Sequence, residues 1–361
     1  MIRDSIEFFQ KEKRYTVLFV LVTAVYTALM IWGRPPESVS APVVTEALEQ
    51  FQAAESRMMQ DVEQAGSVED FLRKNPGAAN LFQLLIFIVA GLFSSGLIVL
   101  FTLLFNARWR QNLQVKAFRE EVTDWKLSMM FKAVLLFLAA SLALNLALGL
   151  LQRFVIPGIS ENLIVLLQTT LVDVICLYLL VYLVCKAGGS WKELGFRIPP
   201  QGFWREVLTG FVGYLGVFPV FMGVLVFLVY IAHLFAYEPP PHPLVNILLE
   251  EEKGSTGLIV YSVLLATIIA PFLEEVFFRG FCYPILKKKW GAGAAMLLTS
   301  LFFATIHANT FAFWPIFVLG MALAYLYEKR RSLTAPVVLH LVHNSIFILY
   351  FFLAKNLVLN S

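Results

Sequence analysis

Charge is what this chain has least of. Only 15% of its 361 residues are Asp, Glu, Lys or Arg, against 59% hydrophobic, and its mean hydropathy is +0.74. A water-soluble domain carries about 25% charged residues, so this chain has too little polar surface to cover itself in water. Cysteine is scarce as well. Cys176, Cys185 and Cys282 lie in or beside apolar runs, without CxxC spacing and without partners in loops, so a disulfide framework is excluded. They read as small buried hydrophobes. No basic patch alternates with aromatics, so nothing points to a nucleic-acid partner. Histidine occurs five times, and three of the five, His307, His340 and His343, fall in the last apolar runs.

What the sequence does have is apolar stretches long enough to cross the roughly 30 Å hydrocarbon core of a bilayer. They run over about 15–33, 80–105, 131–151, 162–185, 206–236, 257–286, 292–307, 312–327 and 333–354. The expectation is an all-α, polytopic bundle of about eight or nine spans. The first run, "YTVLFVLVTAVYTALMIWG", is longer than the roughly 7–15-residue apolar core of a signal peptide and is read as an uncleaved span.

The connecting segments alternate in charge. Arg3, Lys11, Lys13 and Arg14 precede the first run; Arg108, Arg110, Lys116, Arg119 and Lys126 lie in 106–130; Lys186, Lys192, Arg197 and Arg205 in 186–205; and "KKK" and "EKRR" come later. The intervening segments are acidic or neutral. By the positive-inside rule the N-terminus is cytoplasmic and a plasma (inner) membrane is the expected location. Residues 34–79 form a non-cytoplasmic insert with apolar residues near helical spacing, and "EPPPHP" at 238–243 is an external turn. The chain thus divides into an N-terminal membrane region, 1–156, containing that insert, and a helical core, 162–354.

Within the sixth run stands "PFLEEVFFRGF", residues 271–281. A charge at the centre of a membrane helix costs roughly 2.5–3.5 kcal/mol on insertion scales, so Glu274, Glu275 and Arg279 have to pair or meet water. Glu275 and Arg279 are i,i+4 neighbours with the acid first, the favourable order. Glu274 points about 100° away and is left for another task. Pro271 removes a backbone hydrogen bond just before it and bends the helix. The next run ends "FFATIH", with Phe303 beside His307; the last contains "HLVHN", in which His340 and Asn344 share a face. Taken singly, each of these groups suits a structural helix–helix contact. Together, a spare carboxylate, an imidazole and a His/Asn pair suit amide hydrolysis: Glu274 as general base with His307 orienting water, and His340 with Asn344 donating to the oxyanion.

These motifs resemble those of the CPBP or Abi intramembrane glutamate proteases, relatives of the type II CAAX prenyl endopeptidases. The family pattern EExxxR, FxxxH, HxxxN stands here as "EEVFFR" at 274–279, "FATIH" at 303–307 and "HLVHN" at 340–344, within 257–354. The resemblance implies a metal-independent endopeptidase acting on a membrane-associated or lipidated peptide. It implies Glu274, His307, His340 and Asn344 as catalytic and Glu275 and Arg279 as supporting residues, with no cofactor. His343 and the long leading region depart from the minimal pattern. Three other readings remain open. The three histidines and Glu274 would also supply a zinc set, although HExxH is absent. A non-catalytic scaffold or immunity-type protein would keep the same fold. A transporter would use Asp173 and Glu274 as a relay.

Overall fold

An apolar chain in hydrocarbon has no water to satisfy its amides, so it crosses as helices that bond internally. The computed structural model describes residues 2–32, 46–106, 108, 111, 125–156, 158–197, 202–239, 243–251 and 254–359, and every regular element among them is helical. Outside the described residues lie Arg110, Lys116, Arg119, the first part of the insert at 34–45, and residues 240–242 of the proline turn with His242.

The elements are α1 (Ile2–Lys11), α2 (Lys13–Trp32), α3 (Glu46–Ala65), α4 (Val68–Lys74), α5 (Pro76–Phe105), α6 (Leu127–Phe154) and α7 (Glu161–Lys186). A short 3₁₀ turn (Trp191–Leu194) leads to α8 (Phe203–Leu234) and α9 (Pro243–Glu250). The run Thr256–Ile306 breaks at Gly291 (φ 81°, ψ 169°) into α10, 256–290, and α11, 292–306. α12 (Phe313–Arg330) and α13 (Thr334–Leu359) complete the chain. Each expected apolar stretch is helical, as far as its residues are described. Among the described residues six helices, counting 256–306 as one, are long and apolar enough to cross a membrane, and α2 and α12 lie outside that set. The protein is an all-α, multi-pass membrane protein.

Capping follows the sequence. Ser160 accepts from the Leu163 amide at the start of α7, and Ser255 from the Leu258 amide at the start of α10. Ser190 and Glu193 form a reciprocal capping box on the 3₁₀ turn. α3 and α4 supply the expected amphipathic insert. They bury Leu48 and Phe71, and α3 lies against α9 and α13.

α10 is the centre of the molecule. Two stretches of it widen into π turns, Leu265–Ile269 and Val276–Cys282, and each ends just before a proline, Pro271 and Pro284. A proline offers no amide to the carbonyl four residues back and its ring crowds that carbonyl; widening the turn relieves both. The second π turn lies between two apolar cores. Val276, Phe281 and Cys282 pack with Trp125, Leu180, Val184 and Leu194, while Phe278 packs with Tyr214, Phe218, Phe303, Leu323 and Leu339. Close approach depends on Gly280, where an added Cβ would sit 2.3 Å from the Leu194 carbonyl oxygen. A further tie joins α8 to the end of α12: the buried Glu206 carboxylate accepts from Nε and Nη2 of Arg330.

Candidate active site

Three elements build the site: α10 with the carboxylates, α11 with His307 and α13 with His340 and Asn344. The i,i+4 pairing on α10 is as the spacing predicts. Arg279 donates to Oε1 of Glu275 at 2.7 Å, and both side chains are fully buried. Arg279 also donates to the Gly320 carbonyl of α12 at 3.0 Å and lies over the Phe303 ring at 4.8 Å. One cation thereby locks three helices together.

His340 completes the set from α13. Its Nδ1 donates to Oε1 of Glu275 at 3.1 Å, and its Nε2 lies 3.8 Å from Oε2 of Glu274. The first is a hydrogen bond, while the second is beyond direct range and close enough for charge attraction. The two carboxylates differ in access. Glu275 is 0% exposed, whereas the Glu274 side chain keeps 27% of its surface open. Glu275 is therefore held among its partners and Glu274 faces a reachable space, the division expected from the helical spacing.

His307 closes α11. Its Nδ1 donates to the Phe303 carbonyl at 2.7 Å, which leaves Nε2 of the neutral ring as an acceptor. The Phe303 ring stands between the two imidazoles, 4.8 Å from His307 and 5.7 Å from His340. Asn344 donates to the Ala266 carbonyl at 2.8 Å, within the first π turn of α10. His343 turns away, edge-on to Phe221 at 4.8 Å and Tyr214 at 5.9 Å. The structure thus joins Glu275, Arg279 and His340 by direct hydrogen bonds, sets Glu274 3.8 Å from His340, and places His307 beside them through Phe303. Among the described residues no group of three or more His, Cys, Asp and Glu is placed to hold a metal ion.

Sequence reading missed three features. The Gly320 and Ala266 carbonyls are backbone atoms, invisible in a residue pattern, although Pro271 hinted that a carbonyl nearby would be displaced. The bond from His340 to Glu275 joins residues 65 positions apart. α7, which carries Asp173, packs against the 270–275 stretch of α10, a meeting no spacing could reveal.

Residues 256–346, which contain every one of these site residues except Asp173, match the model of the family described as type II CAAX prenyl endopeptidase Rce1-like. This segment is similar to that family. The Rce1-like segment is also similar to "Putative membrane peptidase YdiL" of Bacillus subtilis (strain 168), 28% identical over 83 residues, covering 23% of this chain and 34% of that protein. The chain thus spans about a third of the length of the curated relative it matches. No solved structure matches the chain.

Proposed function

We propose that the protein is an intramembrane endopeptidase that hydrolyses a peptide bond of a membrane-associated or lipidated peptide or protein. The observation that carries this reading is the asymmetry of the two carboxylates: Glu275 buried under Arg279 and His340, Glu274 open beside His340.

In this reading water lies against Glu274 and the free Nε2 of His307. The O–H bond breaks towards the Glu274 carboxylate as the water oxygen bonds to the scissile carbonyl carbon. His340 and Asn344 donate to the oxyanion that forms. For that role His340 keeps Nδ1 on Glu275 and offers Nε2 to the oxyanion. One Asn344 amide proton holds Ala266, and the amide has a second to give. When the tetrahedral intermediate collapses, the C–N bond breaks and the proton on Glu274 passes to the departing amine. No metal takes part in this scheme. The protease core is 162–354, the N-terminus is cytoplasmic, nine crossings accommodate the alternating charges, and the host is the plasma (inner) membrane.

A second reading, a non-catalytic scaffold of the same fold, is favoured by the Asn344 bond to Ala266, since an amide that ties α13 to α10 is also helix–helix glue. The deciding experiment uses purified protein in liposomes with a membrane-tethered peptide library. Cleavage that disappears in Glu274→Ala and His307→Ala, with folding retained, supports the peptidase. Cleavage undiminished in both removes the mechanism, and rescue of a deletion phenotype by both variants selects the scaffold.

A further inference from the structure

His307 caps the C-terminal end of α11, and the chain leaves it in an uncommon way. Ala308 stands at φ 49°, in the left-handed region that alanine rarely enters. Its amide bonds back to the Thr305 carbonyl at 3.1 Å, and the His307 amide is likewise directed to Thr305. In a continuing helix the His307 amide would bond the Phe303 carbonyl, four residues back. Here that carbonyl takes the His307 ring, through Nδ1 at 2.7 Å. Ending α11 at this residue therefore holds a proton on Nδ1 and leaves Nε2 as an acceptor. A neutral histidine free in water prefers the reverse, with its proton on Nε2.

A non-glycine residue in a left-handed conformation persists where its surroundings hold it. The next residue supplies the hold. Oδ1 of Asn309 accepts from the Ala312 amide at 2.9 Å, and α12 begins directly after Ala312 with no side-chain cap of its own. α12 then packs closely on α11: a Cβ added at Gly320 would lie 3.1 Å from the Ser300 Cβ and 3.3 Å from the Phe303 ring. The Gly320 carbonyl in turn receives Arg279. Residues 307–312 thus close a hairpin whose two arms both reach the site. Resting on the peptidase reading, we propose that Asn309 is a positioning residue for His307. By capping the entry to α12 it holds Ala308 in its left-handed turn. That turn ends α11 at His307, frees the Phe303 carbonyl for Nδ1, and leaves Nε2 open to the water that Glu274 deprotonates.

Nitrogen NMR of the full-length protein, with isotope-labelled histidine rings in detergent at neutral pH, tests this without any hydrolysis. The His307 signals are assigned by their loss in His307→Gln. The expected result is an unprotonated Nε2 at His307. Asn309→Ala moves the proton to Nε2, and in the cleavage assay lowers kcat about ten- to a hundredfold with KM unchanged, the scale of a small misplacement. Asn309→Asp keeps the accepting oxygen and restores both readouts. Ala308→Gly combined with Asn309→Ala also restores both, because glycine takes the left-handed turn unaided. A cap that merely stabilised α12 would not be replaced by a glycine at 308. A protonated Nε2 in the unaltered protein, or Asn309→Ala with ring and kcat unchanged, overturns the proposal. So does a double variant that is unfolded or has its proton on Nε2, and this holds even if Asn309→Ala alone does not fold. A ring that answers to Asn309 without any cleavage sinks only the peptidase reading, whereas cleavage with a ring indifferent to Asn309 sinks only the positioning role.

Discussion

At the scale of single residues, adjacent glutamates differ in what they do because one is enclosed and the other is not. Oε1 of Glu275 accepts from both Arg279 and His340 in a fully buried position. Glu275→Ala leaves Arg279 without its carboxylate and is expected to destabilise the protein by about 3–5 kcal/mol, the range for breaking a buried pair. Glu274→Gln keeps the shape and removes the base. It is expected to lower kcat about 10²–10⁴-fold while leaving the melting temperature in detergent unchanged. If the two variants were equally unstable and equally inactive, the division between them would be wrong. The helical spacing already separated them, since the i,i+4 rule pairs Glu275 with Arg279 and leaves Glu274 over. Their burial was not legible there, because it depends on α12 and α13 arriving over the pair.

At the scale of elements, the two π turns of α10 set the site. Pro271 prevents the ordinary helical bond, and within the widened turn the Ala266 carbonyl takes the Asn344 amide. Pro271→Ala permits a regular helix and is expected to draw that carbonyl back, lowering kcat while raising the melting temperature. Cleavage kinetics and thermal unfolding of the same preparation would show both. Gly280→Ala acts in the opposite sense, because its methyl meets the Leu194 carbonyl oxygen at 2.3 Å. The strain is expected to destabilise by about 1–3 kcal/mol, typical of overpacking, as measured by denaturant or thermal unfolding. The prolines and the glycine were plain in the sequence. The width of the turns was not, since a proline is equally compatible with a simple kink.

At the scale of the whole molecule, ionic ties hold distant elements in place. Glu206 and Arg330, 124 residues apart, are buried together where α8 begins and α12 ends. Removing either side chain is expected to destabilise by about 3–5 kcal/mol, and a matched apolar pair, Glu206→Leu with Arg330→Met, to recover most of it in a double-mutant cycle. α1 is tied differently. Its buried Phe8 packs on Phe131, Glu12 pairs with Lys132, and Asp4 pairs with Lys289 at 2.6 Å. The hydrogen bond from Lys289 holds the Asp4 carboxyl down at about 2. A depressed carboxyl stabilises docking above its free value and ceases to as the pH falls through the depressed one. Hydrogen-exchange protection of α1 is thus expected to persist at neutral pH and to decline between about pH 4 and pH 2, and Asp4→Asn to remove that step.

The chain by itself determined its solvent and its helices. Fifteen per cent charge and repeated apolar runs leave a bilayer as the compatible medium, and hydrocarbon admits helices because they satisfy their own amides. It also determined the order of the EExxxR, FxxxH and HxxxN motifs, since each is local to one helix. Only the tertiary structure decided that His340 meets Glu275 and that His343 turns to Tyr214 and Phe221. Those meetings depend on how α8, α10 and α13 rotate against one another, and rotation is settled by packing over the whole bundle rather than by the period of any one helix.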